Sequence, residues 1–172
     1  MKRFTAILLL TFCLAGFTKA QKLGYVDSQF ILEQMEEYQS AQEEIDALSK
    51  KWQKELEAMH ANIQQMYKDY QAEEVLLTED VKKQRQEDIF EAERNAKDYK
   101  KQKFGYDGEL YKVQDEKIKP IQDKVFEAIE AVAKERRLDI ILDKAGNSGI
   151  LYTNAAFDRT DDVMVKLGLS RR

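Results

Sequence analysis

The chain is short of the residues that build rigid or reactive sites. Its 172 residues include one cysteine, one proline, one histidine and one tryptophan. The single cysteine, Cys13, lies in an apolar stretch near the N-terminus, and from Gln21 onward there is none. Disulfides, thiolate chemistry and cysteine-ligated metals are therefore excluded from that part, a composition suited to an oxidising compartment. His60 stands alone beside Met59, whereas metal sites need several such ligands; a solvated role fits it better. Carboxylates are plentiful but spread along charged stretches, with no pair singled out for acid–base work. The glycines at 105, 108, 146 and 149 match no phosphate-binding fingerprint. We expect no enzyme activity, cofactor or metal.

Residues 1–20 read as a cleaved signal peptide. Lys2 and Arg3 precede an uncharged, largely apolar run from Phe4 to Thr18, and Thr18-Lys19-Ala20 is a small-x-small site. The run is short for a membrane span, which takes about 20 apolar residues. Phe12 directly before Cys13 argues against lipid modification. Loss of this segment, which carries Lys2, Arg3 and Lys19 and no acid, takes the formal charge from −4 to −7. The acidic excess sits between Gln21 and Leu76, with 5 Lys/Arg against 12 Asp/Glu; beyond it the signs balance. Nucleic-acid binding wants a basic stripe, and Lys97, Lys100, Lys101 and Lys103 are only a local exception.

What is abundant is charge, at 35% of residues, with a mean hydropathy of −0.63. Such a composition with almost no proline reads as long helix or coiled coil. Leu23–Asp27 reads as a strand, and Asp27-Ser28 as a helix N-cap. From Ser28 to Glu74 an uninterrupted helix is predicted, about 70 Å long. Tyr38, Ala41, Ile45, Leu48, Trp52, Leu56, Met59, Ile63, Met66 and Tyr70 form a heptad seam with one extra residue near Trp52. A tight reversal follows at Val75-Leu76-Leu77. Thr78 is placed to cap the next helix, and Glu79 and Asp80 suit its positive end. The returning helix, Asp80 to Lys103, has a poorer seam of Val81, Arg85, Ile89, Ala92, Ala96 and Tyr99. Pairs such as Glu93–Lys97 help to hold it.

Phe104–Gly108 interrupts this helix. Two readings stand: a loop between two helices, or a continuous helix with a soft hinge at Gly105 and Gly108. If the backbone there is helical, alanine at both positions should raise helix content. Pro120 either breaks one backbone bond within a helix or starts a new one at N1. Ile121, Val125, Ile129 and Val132 then form an apolar stripe, with Phe126 beside it. Asp139–Asp143 and Ile150–Thr153, separated by the turn-forming Ala145–Gly149, are predicted to pair as a hairpin. Asp158 or Thr160 caps a last helix that ends at Gly168. The fold class is mainly α with a small β body.

Leu23-Gly-Tyr-Val-Asp27, Ile31–Met35, Trp52–Leu56, Phe104–Leu110, Pro120-Ile-Gln122, Asp139–Asp143 and Asp161-Asp162-Val163, in this order, resemble the Skp/OmpH family of periplasmic chaperones. The likeness runs through the whole chain after the signal and rests on layout rather than on one motif. It implies homotrimers in which strands build a central body and long antiparallel coiled-coil helical hairpins project around a cavity. That cavity takes up unfolded outer-membrane proteins without ATP. On this layout residues 21–34 and 110–172 form the trimerisation body and 35–109 the projecting hairpin. The family's best-known members are strongly basic and this chain is acidic, so the resemblance leaves contact with lipopolysaccharide or membrane open.

Tyr67, Val75, Leu76, Leu77, Phe90, Phe104 and Tyr106 lie off the seam or near the break and are the candidate client-binding residues. Each can instead pack between the two helices, since single exposed apolar groups are ordinary. Held in a charged cage, such groups would grip an unfolded chain weakly at many points. Val26, Ile121, Val125, Ile129, Ile141 and Leu151 are the candidates for oligomerisation, because one hairpin is marginal alone in water. A structural coiled-coil adaptor of the cell envelope is the alternative; it would keep a continuous apolar stripe along both helices.

Overall fold

The computed structural model describes residues 21–146 and 149–169. The expected signal segment, together with Asn147 and Ser148 of the expected turn, lies outside them. The chain is mostly helical with one small sheet, and it divides into two compact units.

The first unit holds the described residues up to Ile31 and those from Val125 onward. Strand β1 (Leu23–Val26) pairs in parallel with β2 (Ile140–Asp143), Leu23 opposite Ile140 and Val26 opposite Asp143. Parallel strands need a long crossover, and here all the long helices lie in it. The expected hairpin does not form: Ile150–Thr153 is not a strand. The reason lies in what holds the end of β2. The Asp143 carboxylate accepts the Ser28 N–H at 3.1 Å, the Ser28 hydroxyl at 2.6 Å and the Ala145 N–H at 3.0 Å. The Lys144 N–H donates to the Val26 carbonyl at 2.7 Å. The chain leaving β2 is thus tied to the end of β1 instead of folding back on itself. Further along, Tyr25 bridges to Asp158, and the Arg159 N–H donates to the Tyr25 carbonyl at 2.8 Å.

Asp27 caps the short helix α1 (Ser28–Glu33) as the sequence suggests, its carboxylate accepting the Phe30 N–H at 3.0 Å. Val26, Ile31 and Val163 are the most completely enclosed side chains. Gly24 sits at a close approach: a Cβ there would stand 3.0 Å from Leu138 Cδ1 and 3.2 Å from Arg159 Cγ.

The second unit, Leu32–Lys124, begins with a departure from expectation. The helix does not run unbroken from Ser28. Met35 is extended (φ −87°, ψ 120°) and buried, and α2 starts only at Glu36. The Gln39 side-chain amide donates to the Glu33 carbonyl at 2.6 Å, closing off α1. Burial of Met35 breaks the helix although no glycine or proline is present. From there α2 runs to Glu73, 38 residues, or about 57 Å. Every residue of its expected seam is buried or half-buried, with Ala41, Ile45, Trp52, Leu56 and Ile63 the deepest.

A 3₁₀ turn (Glu74–Leu76) leads to α3 (Glu79–Phe104). Thr78 takes the N-cap position with extended backbone, but its hydroxyl makes no capping bond. Ile89 and Ala96 are buried on α3, while Val81 and Arg85 are exposed. The next helix, α4 (Glu109–Arg136), contains Pro120 in its interior, so proline does not start a new helix. It ends at Arg137, which is left-handed (φ 54°), with the Leu138 N–H reaching back to the Ala133 carbonyl at 2.9 Å. The last helix, α5 (Thr160–Lys166), is capped by the Asp158 carboxylate on the Thr160 N–H at 2.8 Å; Gly168 lies beyond its end at φ 74°.

Candidate functional site

Two successive helices return along α2. Beside its outer half lies α3: the Tyr70 hydroxyl accepts from the Gln86 amide at 2.7 Å, the Tyr67 hydroxyl donates to Glu93 at 3.0 Å, and the Tyr99 hydroxyl donates to Glu55. Glu93, expected to pair with Lys97, is thus engaged by a tyrosine of the facing helix. Beside the inner half lies α4, where Lys117 pairs with Glu44 and Lys124 with Glu37. Partner numbers fall along α2 as they rise along α3 and α4. Leu56, Ile63 and Ala96 form the apolar contact between α2 and α3, with Met59, Ala92 and Tyr99 packed against it.

Between the two returning helices the chain leaves helical form at residues 105–108. The first of the two readings of this segment is the one seen, a break between helices. Gly105 sits at φ −68°, ψ 171°, and its N–H donates to the Lys101 carbonyl at 2.9 Å. The Gly108 N–H donates to the Gly105 carbonyl at 2.9 Å. Neither glycine has positive φ; both are needed for space. A Cβ on Gly105 would fall 2.3 Å from the Lys101 carbonyl oxygen, and one on Gly108 within 2.9 Å of the Gly105 and Lys103 carbonyl oxygens. Alanine at these positions therefore cannot raise helix content without first dismantling the break.

The break lies opposite the extra residue in the α2 seam. Trp52 meets Phe104 edge-on, with ring centroids 6.3 Å apart and an interplanar angle of 85°. Lys103 places its ammonium 4.9 Å from the Trp52 ring centroid and 5.7 Å from that of Tyr99, and it pairs with Glu109 across the break. The Gln102 amide donates to the same carboxylate at 3.0 Å. The Lys103 ammonium holds the Glu109 carboxyl below the usual carboxylate range, against the effect of burial, with help from Gln102 and Lys112. Burial, then the bond to Glu55, pushes the Tyr99 phenol up to about 12.

The expected client-binding residues are scattered. Val75 and Leu76 stand 89% and 83% exposed in the 3₁₀ turn, and Leu77 beside them is half-buried. Phe90 is exposed on α3, and Tyr67 is exposed on α2 with its hydroxyl engaged. Phe104 is half-buried against Trp52, and so is packed between helices. Tyr106 is exposed and stacks on Tyr111 at 6.2 Å, a partner the sequence reading passed over although the two are five residues apart. A shallow cleft of about 460 Å³ borders the break, lined by Asp98, Lys101, Gln102, Lys112 and residues 105–109. No single pocket gathers these apolar groups among the described residues.

Of the oligomerisation candidates, Val26, Ile121 and Val125 are buried within the chain, Ile129 and Ile141 are half-buried, and Leu151 is fully exposed. Tyr152, Phe157 and Val165, which the sequence reading did not select, are exposed as well. Among the described residues no group of three or more His, Cys, Asp or Glu is placed to hold a metal ion, and no helix is long and apolar enough to cross a membrane.

The model of the family described as outer membrane protein (OmpH-like) matches residues 22–167. The chain belongs to the OmpH-like family, as the resemblance in its sequence suggests. Among solved structures it is similar to an OmpH-like protein of Caulobacter crescentus CB15, described by its crystallographers as a candidate outer membrane chaperone. The two are 12% identical, the match covers 88% of this chain and 86% of the other, and the TM-score is 0.66. At that identity the likeness is one of fold. No curated protein matches.

Proposed function

We propose that the protein is an ATP-independent periplasmic holdase chaperone. On this reading it is exported by a cleaved signal peptide and acts as a homotrimer. Residues 21–34 and 110–172 contribute to the trimerisation body, and residues 35–109 form an antiparallel coiled-coil arm. Unfolded outer-membrane proteins are held in the space between the arms and kept from aggregating.

The observation that carries the reading is that the exposed apolar groups are scattered along the chain instead of forming one stripe. Val75 and Leu76 in the 3₁₀ turn, Phe90 on α3 and Tyr106 in the break stand 64–90% exposed. A fixed partner would need a continuous apolar stripe, and α3 buries only Ile89 and Ala96. Separated contacts suit a client of no fixed shape, which is held by many weak grips at once. OmpH-like membership supports the same conclusion.

The test is light scattering after dilution of a urea-unfolded barrel protein. The chain from Gln21 onward should suppress scattering without nucleotide. Undiminished scattering at molar excess overturns the proposal and favours the coiled-coil adaptor.

A further inference from the structure

The break at residues 105–108 has the composition of a free hinge, yet three helices converge on one ammonium beside it. Trp52 comes from α2, Tyr99 and Lys103 from α3, and Glu109 from α4. The Lys103 side chain is only 16% exposed, although it is a lysine on a highly charged helix. Its ammonium lies 4.9 Å from the Trp52 ring centroid and is paired with the Glu109 carboxylate. Cation–π attraction and an ion pair are each stronger when the ammonium is partly removed from water. Phe104, the last residue of α3, is seated edge-on against the same tryptophan. The two glycines leave no room for side chains, so the turn admits no larger residue at either position.

We propose that this break is a latched joint: Lys103, pinned between the Trp52 ring and Glu109, holds α4 in one set orientation to α3, and the helices swing only when that pin is drawn. The compliance of the returning arm is then a population controlled by one side chain rather than a property of two glycines. A ligand or condition that competes for Lys103 shifts that population, and one indifferent to it does not. The latch rests on its own geometry and does not depend on what the arms hold.

Trp52 is the chain's only tryptophan, so its fluorescence reports the joint directly. Lys103→Met keeps the length of the stem and removes the charge. Glu109→Gln keeps the shape and the capacity to hydrogen-bond and removes the opposing charge. Lys101→Met, which removes a charge from the adjoining cleft, is the control. Spin labels at Lys83 on α3 and Glu116 on α4, with labelled chain diluted into unlabelled, read the angle at the joint.

For the wild type and Lys101→Met we expect one narrow distance distribution. For Lys103→Met and Glu109→Gln the distribution should broaden, and quenching of Trp52 by acrylamide should rise about twofold or more as the open population grows. Helix content should be unchanged in all four. If Lys103→Met or Glu109→Gln remains folded, with a narrow distribution and unaltered quenching, the latch is overturned. A wild type already as broad as these variants overturns it equally, because the pin would then hold nothing.

Discussion

At the scale of the residue, the two glycines of the break answer a demand for space that composition does not reveal. Glycine within a helical sequence suggests flexibility, because it costs about 1 kcal/mol relative to alanine in a helix. Here Gly105 and Gly108 are set by contact distance, each with carbonyl oxygens where a Cβ would sit. Gly105→Ala should therefore destabilise the long-helix unit by about 1–3 kcal/mol, the usual cost of an added methyl with no room. Thermal unfolding followed by circular dichroism measures it; a stabilised or neutral variant would show that the break can relax into helix. The neighbouring titrations make a second prediction. Glu109 has a depressed pKa, so its contribution to stability is complete above the ordinary glutamate value of about 4.3 and is lost as pH falls through its lower folded value. Tyr99 behaves oppositely. Its folded value is raised to about 12, so its contribution is complete below the ordinary tyrosine value of about 10 and lost as pH rises through the folded one. Unfolding midpoints in wild type and Glu109→Gln should accordingly converge on acidification and stay apart near neutrality.

At the scale of the element, α2 and α3 are unequal partners. The seam of α2 was legible because ten apolar residues recur at steps of three and four, and every one is buried or half-buried. The seam of α3 was legible only at Ile89, Ala92, Ala96 and Tyr99, and each of those is covered. Its outer end, with Val81 and Arg85 exposed, meets α2 through surface contacts such as the Arg85–Glu73 pair and the Gln86–Tyr70 hydrogen bond. Exposed pairs contribute about 0–1 kcal/mol each, so this end should open locally far below the global unfolding free energy. Amide exchange should be faster over residues 80–86 than over 89–99. Ile63→Ala, in the apolar contact between the helices, should cost about 2–5 kcal/mol, whereas Val81→Ala should change little. Equal exchange along α3 would mean that the outer end is covered by something the chain alone does not supply. The sequence was silent on the break at Met35, because no breaker residue marks it; an extended, buried methionine is a tertiary decision. The strand pairing was misread for a related reason. Turn residues between two apolar runs imply a local hairpin, but the side chain of Asp143 binds Ser28, more than a hundred residues away, and such a contact leaves no local pattern.

At the scale of the whole molecule, the sheet is too small to stand by itself. Two strands are marginal in water without further strands or packing. On β2, Ile140 and Leu142 are each almost half exposed, and beyond it Leu151 and Tyr152 are 99% and 83% exposed. Val26 and Val125, read from the sequence as assembly residues, are buried in the chain's own unit. A substitution there would unfold the chain and say nothing about its partners. Leu151 separates the two effects. Because its side chain touches almost nothing within the chain, Leu151→Asp should leave helix content and the unit's own packing intact. If copies meet through this surface, as the proposed trimer requires, a charge there is buried unpaired at the contact and is costly. Light scattering should then give a three-chain mass for the wild type and a one-chain mass for Leu151→Asp at the same micromolar concentration. The variant should also lose its ability to suppress aggregation, since a single arm encloses no space and offers only its own few grips. A wild-type chain that is folded and monomeric at that concentration would remove the trimer from the proposal. A Leu151→Asp variant that keeps the three-chain mass would place the contact elsewhere, on the exposed faces of Phe126, Phe157 or Val165.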